Sequence, residues 1–222
     1  MYHDKQLPTL ITLAWVPEFA RGVVRDMRVR WALEEAGRSY QVELVDFTQK
    51  EAPTYRSIQP FGQVPAWREG ELTLFESGAI VHRIAATSPL LMPADDDGRS
   101  RTLAWMFAAL NSVEPAVMAL AGIDLFDADA AWAKARRLTV EKQVEARLSD
   151  LDRALEGRDY LLEQFTAGDL LMATVMNILR HTALVAGHPH LDAWHRRCMG
   201  RPAAQKALAD QLALYADAPA PA

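Results

Sequence analysis

Between residues 9 and 86 the spacing of hydrophobic positions changes period several times. Thr9 to Trp15 is a short apolar run of buried-strand length, with Ile11 and Leu13 inside it. From Val23 to Ala36 the spacing becomes helical, with Val29, Ala32, Leu33 and Ala36 on one stripe and Arg25, Arg28, Glu34 and Glu35 off it. Gly37 follows as a natural helix stop. Tyr40, Val42 and Leu44 then alternate with Gln41 and Glu43, which predicts a strand with one buried face. Lys50 to Pro60 holds Pro53 and Pro60 and reads as a loop with at most one irregular helix. Val64 to Trp67 is short and extended, Glu69-Gly70 marks a tight turn, and Leu72 to Phe75 is the next strand. Ser77 is placed to cap a helix running to Ala86.

The order strand, helix, strand, loop, strand, strand, helix is a βαβ unit followed by a ββα unit. The first implies parallel pairing with a right-handed crossover. Residues 88–98 combine two prolines with an acidic run and read as a linker. Beyond it the pattern predicts only helices: Arg99–Leu120, kinked at Pro115, then Asp129–Leu155, Gly168–Ala186, His190–Met199 and Pro202–Tyr215. The tail from Ala216 to Ala222 is expected to fray. The expected class is α/β plus all-α: residues 1–87 as an α/β domain, 88–98 as linker and 99–222 as an all-helical domain.

Composition narrows the partners. Of 222 residues, 24 are Lys or Arg and 29 are Asp or Glu, so the net charge is -5 and neither nucleic acid nor an anionic membrane is an expected partner. The one cysteine, Cys198, cannot form an intramolecular disulfide. The first six residues lack a signal-peptide pattern, and the apolar stretch Leu170–Leu179 is about half a bilayer span. A cytoplasmic location is expected.

Two short motifs carry chemistry. In Phe61-Gly62-Gln63-Val64-Pro65-Ala66 a proline opens a strand, although it cannot donate to the ladder. A cis Val64–Pro65 bond resolves this and leaves the Val64 N–H and C=O free for a peptide-like ligand. In Leu74-Phe75-Glu76-Ser77-Gly78 a strand runs straight into a helix, and Glu76 and Ser77 stand at the helix N-terminus, where amides and dipole favour an anion. Ser77 can donate to a carboxylate and Glu76 can accept from an ammonium, which suits an α-amino acid group. His181, His188, His190, His195 and Cys198 lie close in sequence but lack metal-ligand spacing, so no metal is expected. The basic series Arg21, Arg25, Arg28, Arg30 reads as a solvated face or subunit contact.

Together these motifs resemble the glutathione transferase family. The segment Arg28-Val29-Arg30-Trp31-Ala32-Leu33-Glu34-Glu35-Ala36-Gly37 is similar to its first helix, Phe165-Thr166-Ala167-Gly168-Asp169 to its capping box, and Arg201-Pro202 to the start of its last helix. The resemblance implies a thioredoxin-like N-terminal domain followed by an all-helical C-terminal domain, assembled as a homodimer. It implies glutathione as co-substrate: Val64 and Pro65 beside the cysteinyl part, Glu76 and Ser77 on the γ-glutamyl end, Gln63 and Lys50 near the glycyl carboxylate. It also implies a small electrophilic substrate against Trp15, Phe19 and Trp105, and conjugation to the thiolate, with isomerase, dehalogenase or ether-cleaving reactions left open. One feature departs from the family. The loop Ala14-Trp15-Val16-Pro17-Glu18-Phe19-Ala20-Arg21-Gly22 lacks the Tyr, Ser or Cys that acts on the thiol. Unpaired amides at the start of the Val23 helix are expected to take that role, with Arg21 as the best side chain. The alternative is a non-catalytic member that binds glutathione or a protein.

Overall fold

The structure is a computed structural model and describes residues 7–216; Tyr2 and the tail from Asp217 lie outside the described residues. The chain divides into two compact units. One comprises residues 1–91 and 202–222, the other residues 92–201. The expected boundary placed the last helix in the helical half, but its packing joins it to the first unit.

In the first unit, strands β1 (Thr9–Leu13), β2 (Gln41–Val45), β3 (Ala66–Glu69) and β4 (Leu72–Phe75) form one sheet in the order β2-β1-β3-β4. β1 pairs parallel with β2 and antiparallel with β3, and β3 and β4 form a hairpin closed at Gly70, whose φ is +60°. The βαβ and ββα halves expected from the sequence are both present. Helix α1 (Asp26–Glu35) packs on α3 (Ser77–Ala85) and on α9 (Pro202–Ala216), while α2 (Pro53–Arg56) is a single turn behind a 3-10 turn at Gln49–Glu51.

Three expectations change here. The helix starts at Asp26, not Val23, because residues 18–20 form a separate 3-10 turn. Arg28 and Arg30 are not solvated: both are at most 3% exposed, because α3 and α9 cover α1 on two flanks. Val42 and Leu44 are exposed, because β2 is the edge strand of the sheet.

The second unit contains α4 (Asp96–Phe107), α5 (Glu114–Leu125), α6 (Ala133–Ala154), α7 (Ala167–Asn177) and α8 (Pro189–Met199). Asp95 caps α4 through the Gly98 N–H, so the end of the expected linker is already helical. A π-helical run, Ala108–Val113, joins α4 to α5. Pro115 lies in the first turn of α5, where its ring would strike the carbonyl four residues back in a regular α-helix; the wider π turn relieves that contact. The run Asp96–Leu125 is long and apolar enough to cross a bilayer by length and composition, and 44% of its apolar window is buried.

The predicted capping box is formed. Thr166 Oγ accepts from the Gly168 N–H at 3.3 Å, and Asp169 accepts from the Thr166 N–H at 3.0 Å. Asp169 also takes the Leu161 N–H and the Trp194 indole, so one buried carboxylate ties three segments together. Arg201 stacks over Phe165 at 3.9 Å.

Candidate functional site

Sheet register brings the two motifs together. Ala66 pairs with Ile11 on one side and with Phe75 on the other. The residues just beyond that row, Pro65, Glu76 and the end of β1 leading to Trp15, therefore share one end of the sheet.

The Val64–Pro65 peptide is cis. Val64 packs beside Tyr55, Ile58 and Ile11. Among the described residues its N–H and C=O form no hydrogen bond, so both remain available at the head of β3. Tyr55 supports the preceding residue by donating its hydroxyl to the Gln63 carbonyl at 2.6 Å. Burial holds the Tyr55 phenol up at about 12, so it stays a donor at working pH. The Gln63 side chain faces solvent.

Lys50 reaches the same loop. Its ammonium lies 2.6 Å from Glu51 and donates to the Gly62 carbonyl at 3.2 Å. Bonds from Lys50 and Arg56 hold the exposed Glu51 carboxyl down at about 2. Lys50 is thus beside Gln63 and shares its charge with a permanent carboxylate.

Glu76, not Ser77, is the N-cap of α3. Its backbone has φ +67° and ψ 115°, and its side chain makes no capping bond. Such a conformation is costly for a non-glycine residue and is found where function requires it. It turns the exposed Glu76 carboxylate out beside the open first turn of α3. Ser77 follows at the first helical position, 4% exposed, and its Oγ accepts from Arg28 Nη1 at 3.1 Å. With the guanidinium donating to Oγ, the Ser77 hydroxyl hydrogen is directed elsewhere and can reach a ligand carboxylate. Sequence reasoning missed Arg28, whose helical spacing gave no sign of this partner.

The loop after β1 differs from expectation. Arg21 donates its N–H to the Glu18 carbonyl, Gly22 to the Gln211 Oε1 at 2.7 Å and Val23 to the Ala20 carbonyl. The Arg21, Gly22 and Val23 amides are therefore used internally, because the chain closes a 3-10 turn before α1 starts, whereas the Val24 and Asp26 amides form no hydrogen bond among the described residues. Gln211 also donates to Asp26 at 2.5 Å, and Asp26 accepts from Arg30 at 2.8 Å. Burial raises the Asp26 carboxyl above its ordinary range despite these partners. Earlier in the loop, the Trp15, Val16 and Glu18 amides make no hydrogen bond among the described residues. Trp15 is half-buried and Phe19 is 40% exposed. Trp105 lies on α4, with its Cβ against Gly168 of α7.

Among the described residues no group of three His, Cys, Asp or Glu could hold a metal ion.

Comparison with known proteins agrees with this geometry. The glutathione S-transferase N-terminal domain matches residues 20–86, and the glutathione S-transferase C-terminal domain matches residues 106–202. Glutathione S-transferase 4 of Zea mays is 32% identical over 196 residues, covering 81% of this chain and 85% of its own. A probable glutathione S-transferase of Oryza sativa subsp. japonica is 29% identical over 189 residues, covering 78% of this chain and 86% of its own. The crystal structure of a glutathione transferase from Pseudomonas putida, with glutathione disulfide bound, superimposes with a TM-score of 0.80 at 24% identity, covering 94% of this chain and 93% of that one. A thioredoxin-like unit with a cis-proline at the head of β3, a helical unit with its capping box and these matches along most of the chain lead to one conclusion: the protein belongs to the glutathione S-transferase family.

Proposed function

We propose that the protein binds glutathione at the open end of its sheet and transfers the thiolate to a small, apolar electrophile. The observation that carries this reading is the cis Val64–Pro65 peptide one ladder step from the strained Glu76 cap. A γ-glutamyl group supplies both a carboxylate and an ammonium. The first-turn amides of α3 and the Ser77 hydroxyl suit the carboxylate, and Glu76 suits the ammonium. The cysteinyl amide pairs with the backbone of Val64. The glycyl carboxylate lies toward Gln63 and Lys50. The Pseudomonas putida neighbour, with glutathione disulfide bound to the same fold, supports this choice of ligand.

Thiolate stabilisation falls to the Trp15, Val16 and Glu18 amides, since residues 14–22 supply no Tyr, Ser or Cys. Trp15 and Phe19 give that end an apolar wall for the electrophile. The missing hydroxyl or thiol favours a second reading, a binding protein without transfer. A homodimer in the cytoplasm completes the proposal. The exposed Phe61–Phe75 edge-to-face pair is an apolar surface suited to a second copy, and sedimentation equilibrium giving a monomer would contradict that part.

Calorimetric titration with glutathione tests the site. Ser77→Ala removes a hydrogen bond to a charged group, worth roughly 1.5–3 kcal/mol, so affinity is expected to fall about ten- to a hundredfold. Equal affinity in parent and variant would refute the assignment.

A further inference from the structure

We propose that Gln211, on the last helix, is a positioning residue for the thiolate: it fixes Gly22, the pivot between two sets of open amides at the end of the sheet. This role rests on the reading above that backbone amides stabilise the bound thiolate. Trp15, Val16 and Glu18 precede Gly22, Val24 and Asp26 follow it, and none of these amides forms a hydrogen bond among the described residues. Gly22 has φ +80°, so the chain turns sharply between the 3-10 turn at Glu18–Ala20 and the start of α1.

The two ends of this segment are anchored differently. At the near end the Ala14 N–H donates to the Val45 carbonyl at 2.9 Å, which continues the β1–β2 ladder. At the far end the Gly22 N–H donates to Gln211 Oε1 at 2.7 Å. On its other side Gln211 Nε2 donates to Asp26 Oδ1 at 2.5 Å, and Asp26 Oδ2 accepts from Arg30 Nε at 2.8 Å. One carboxamide thus joins the last residue of the loop to the first residue of α1.

That carboxamide has a single workable orientation. Turned over, it would set its N–H groups against the Gly22 N–H and its oxygen against the Asp26 carboxylate, and both bonds would be lost. Gln211 and Asp26 are fully buried and Arg30 is 2% exposed, so bulk water has no access with which to replace either bond. Without the Gln211 acceptor, Gly22 loses the bond that holds it against α9, and the amides on either side of it lose their aim. The γ-glutamyl and glycyl ends of glutathione are held elsewhere, at α3 and at Gln63 and Lys50, so the change falls on the thiol.

Two titrations on the full chain separate anchoring from thiol chemistry. Calorimetry with S-methylglutathione, whose sulfur cannot ionise, reads the anchoring, and ultraviolet titration of bound glutathione reads the thiol. In Gln211→Met the bound thiol pKa is expected to rise from about 7 toward about 8, roughly a tenfold loss of thiolate at neutral pH. Its affinity for S-methylglutathione should stay within about threefold of the parent. Leu148→Ala, a destabilising truncation of a fully buried side chain on α6, should leave both values parental. A parental thiol pKa in Gln211→Met, an equal rise in Leu148→Ala, or a loss of more than about threefold in S-methylglutathione affinity in Gln211→Met would overturn the proposal. In the parent, corrected for intrinsic rates, the Gly22 amide should exchange its hydrogen at least about tenfold more slowly than the Trp15 and Glu18 amides. Equal exchange would overturn the proposal even where Gln211→Met failed to fold. A parent whose bound thiol titrates near about 8.5 would instead remove the thiolate reading itself, and the role of Gln211 with it.

Discussion

Gln211 shows how one side chain can hold the site from a distance. It is fully buried, accepts the Gly22 amide and donates to Asp26, across sequence separations of 189 and 185 residues. Replacing it by Leu keeps the approximate volume but strands a buried N–H and removes a donor from a buried carboxylate. Each unsatisfied group costs about 1–3 kcal/mol, so Gln211→Leu is expected to lower stability by about 2–4 kcal/mol in urea unfolding. A change below about 0.5 kcal/mol would mean the network carries no energy. Nothing in a lone glutamine on a C-terminal helix announces such a role. Arg28 was illegible for the same reason: its partner Ser77 lies on α3, which helical spacing within α1 cannot identify. The cis Val64–Pro65 bond and the start of α3 at Glu76 and Ser77 were legible because both are local, resting on a proline without a donor and a helix N-terminus directly after a strand.

At the scale of elements, close approach of α4 and α7 depends on one glycine. A Cβ on Gly168 would lie 2.7 Å from the Trp105 Cβ, and α7 would have to move away. Gly168→Ala is expected to cost about 1–3 kcal/mol, as overpacking does. Gly122 on α5 is the control, since a Cβ there meets nothing within 4 Å. Gly122→Ala should stabilise by about 0.5–1 kcal/mol through helix propensity. Thermal unfolding that moved both variants the same way would contradict this contrast. The capping box around Gly168 was readable because Thr166 and Asp169 stand at fixed helical offsets. The π turn before Pro115 was not, since sequence marks where a proline disrupts a helix but not how the backbone relieves it. Edge exposure of Val42 and Leu44 was equally hidden: alternation predicts a strand, and only sheet order decides whether its apolar face is covered.

For the whole molecule, the family and its two kinds of unit are settled, and the chemistry turns on the thiol. A thiol of this kind has a pKa near 8.5, and only a few per cent is thiolate at pH 7. Conjugation at neutral pH therefore needs the bound thiolate to be stabilised. Nothing in residues 14–22 carries a hydroxyl or thiol, and the Arg21, Gly22 and Val23 amides are already engaged. Donors that remain include the Trp15, Val16 and Glu18 amides, which bond to nothing among the described residues. Ultraviolet titration of glutathione in the complex, in the parent and in Arg21→Ala, measures their effect most directly. The predicted result is a bound thiol pKa of about 7 or below in both proteins, since oriented amides can supply the roughly 2 kcal/mol involved. A bound thiol that still titrates near about 8.5 would contradict thiolate transfer and favour the binding reading.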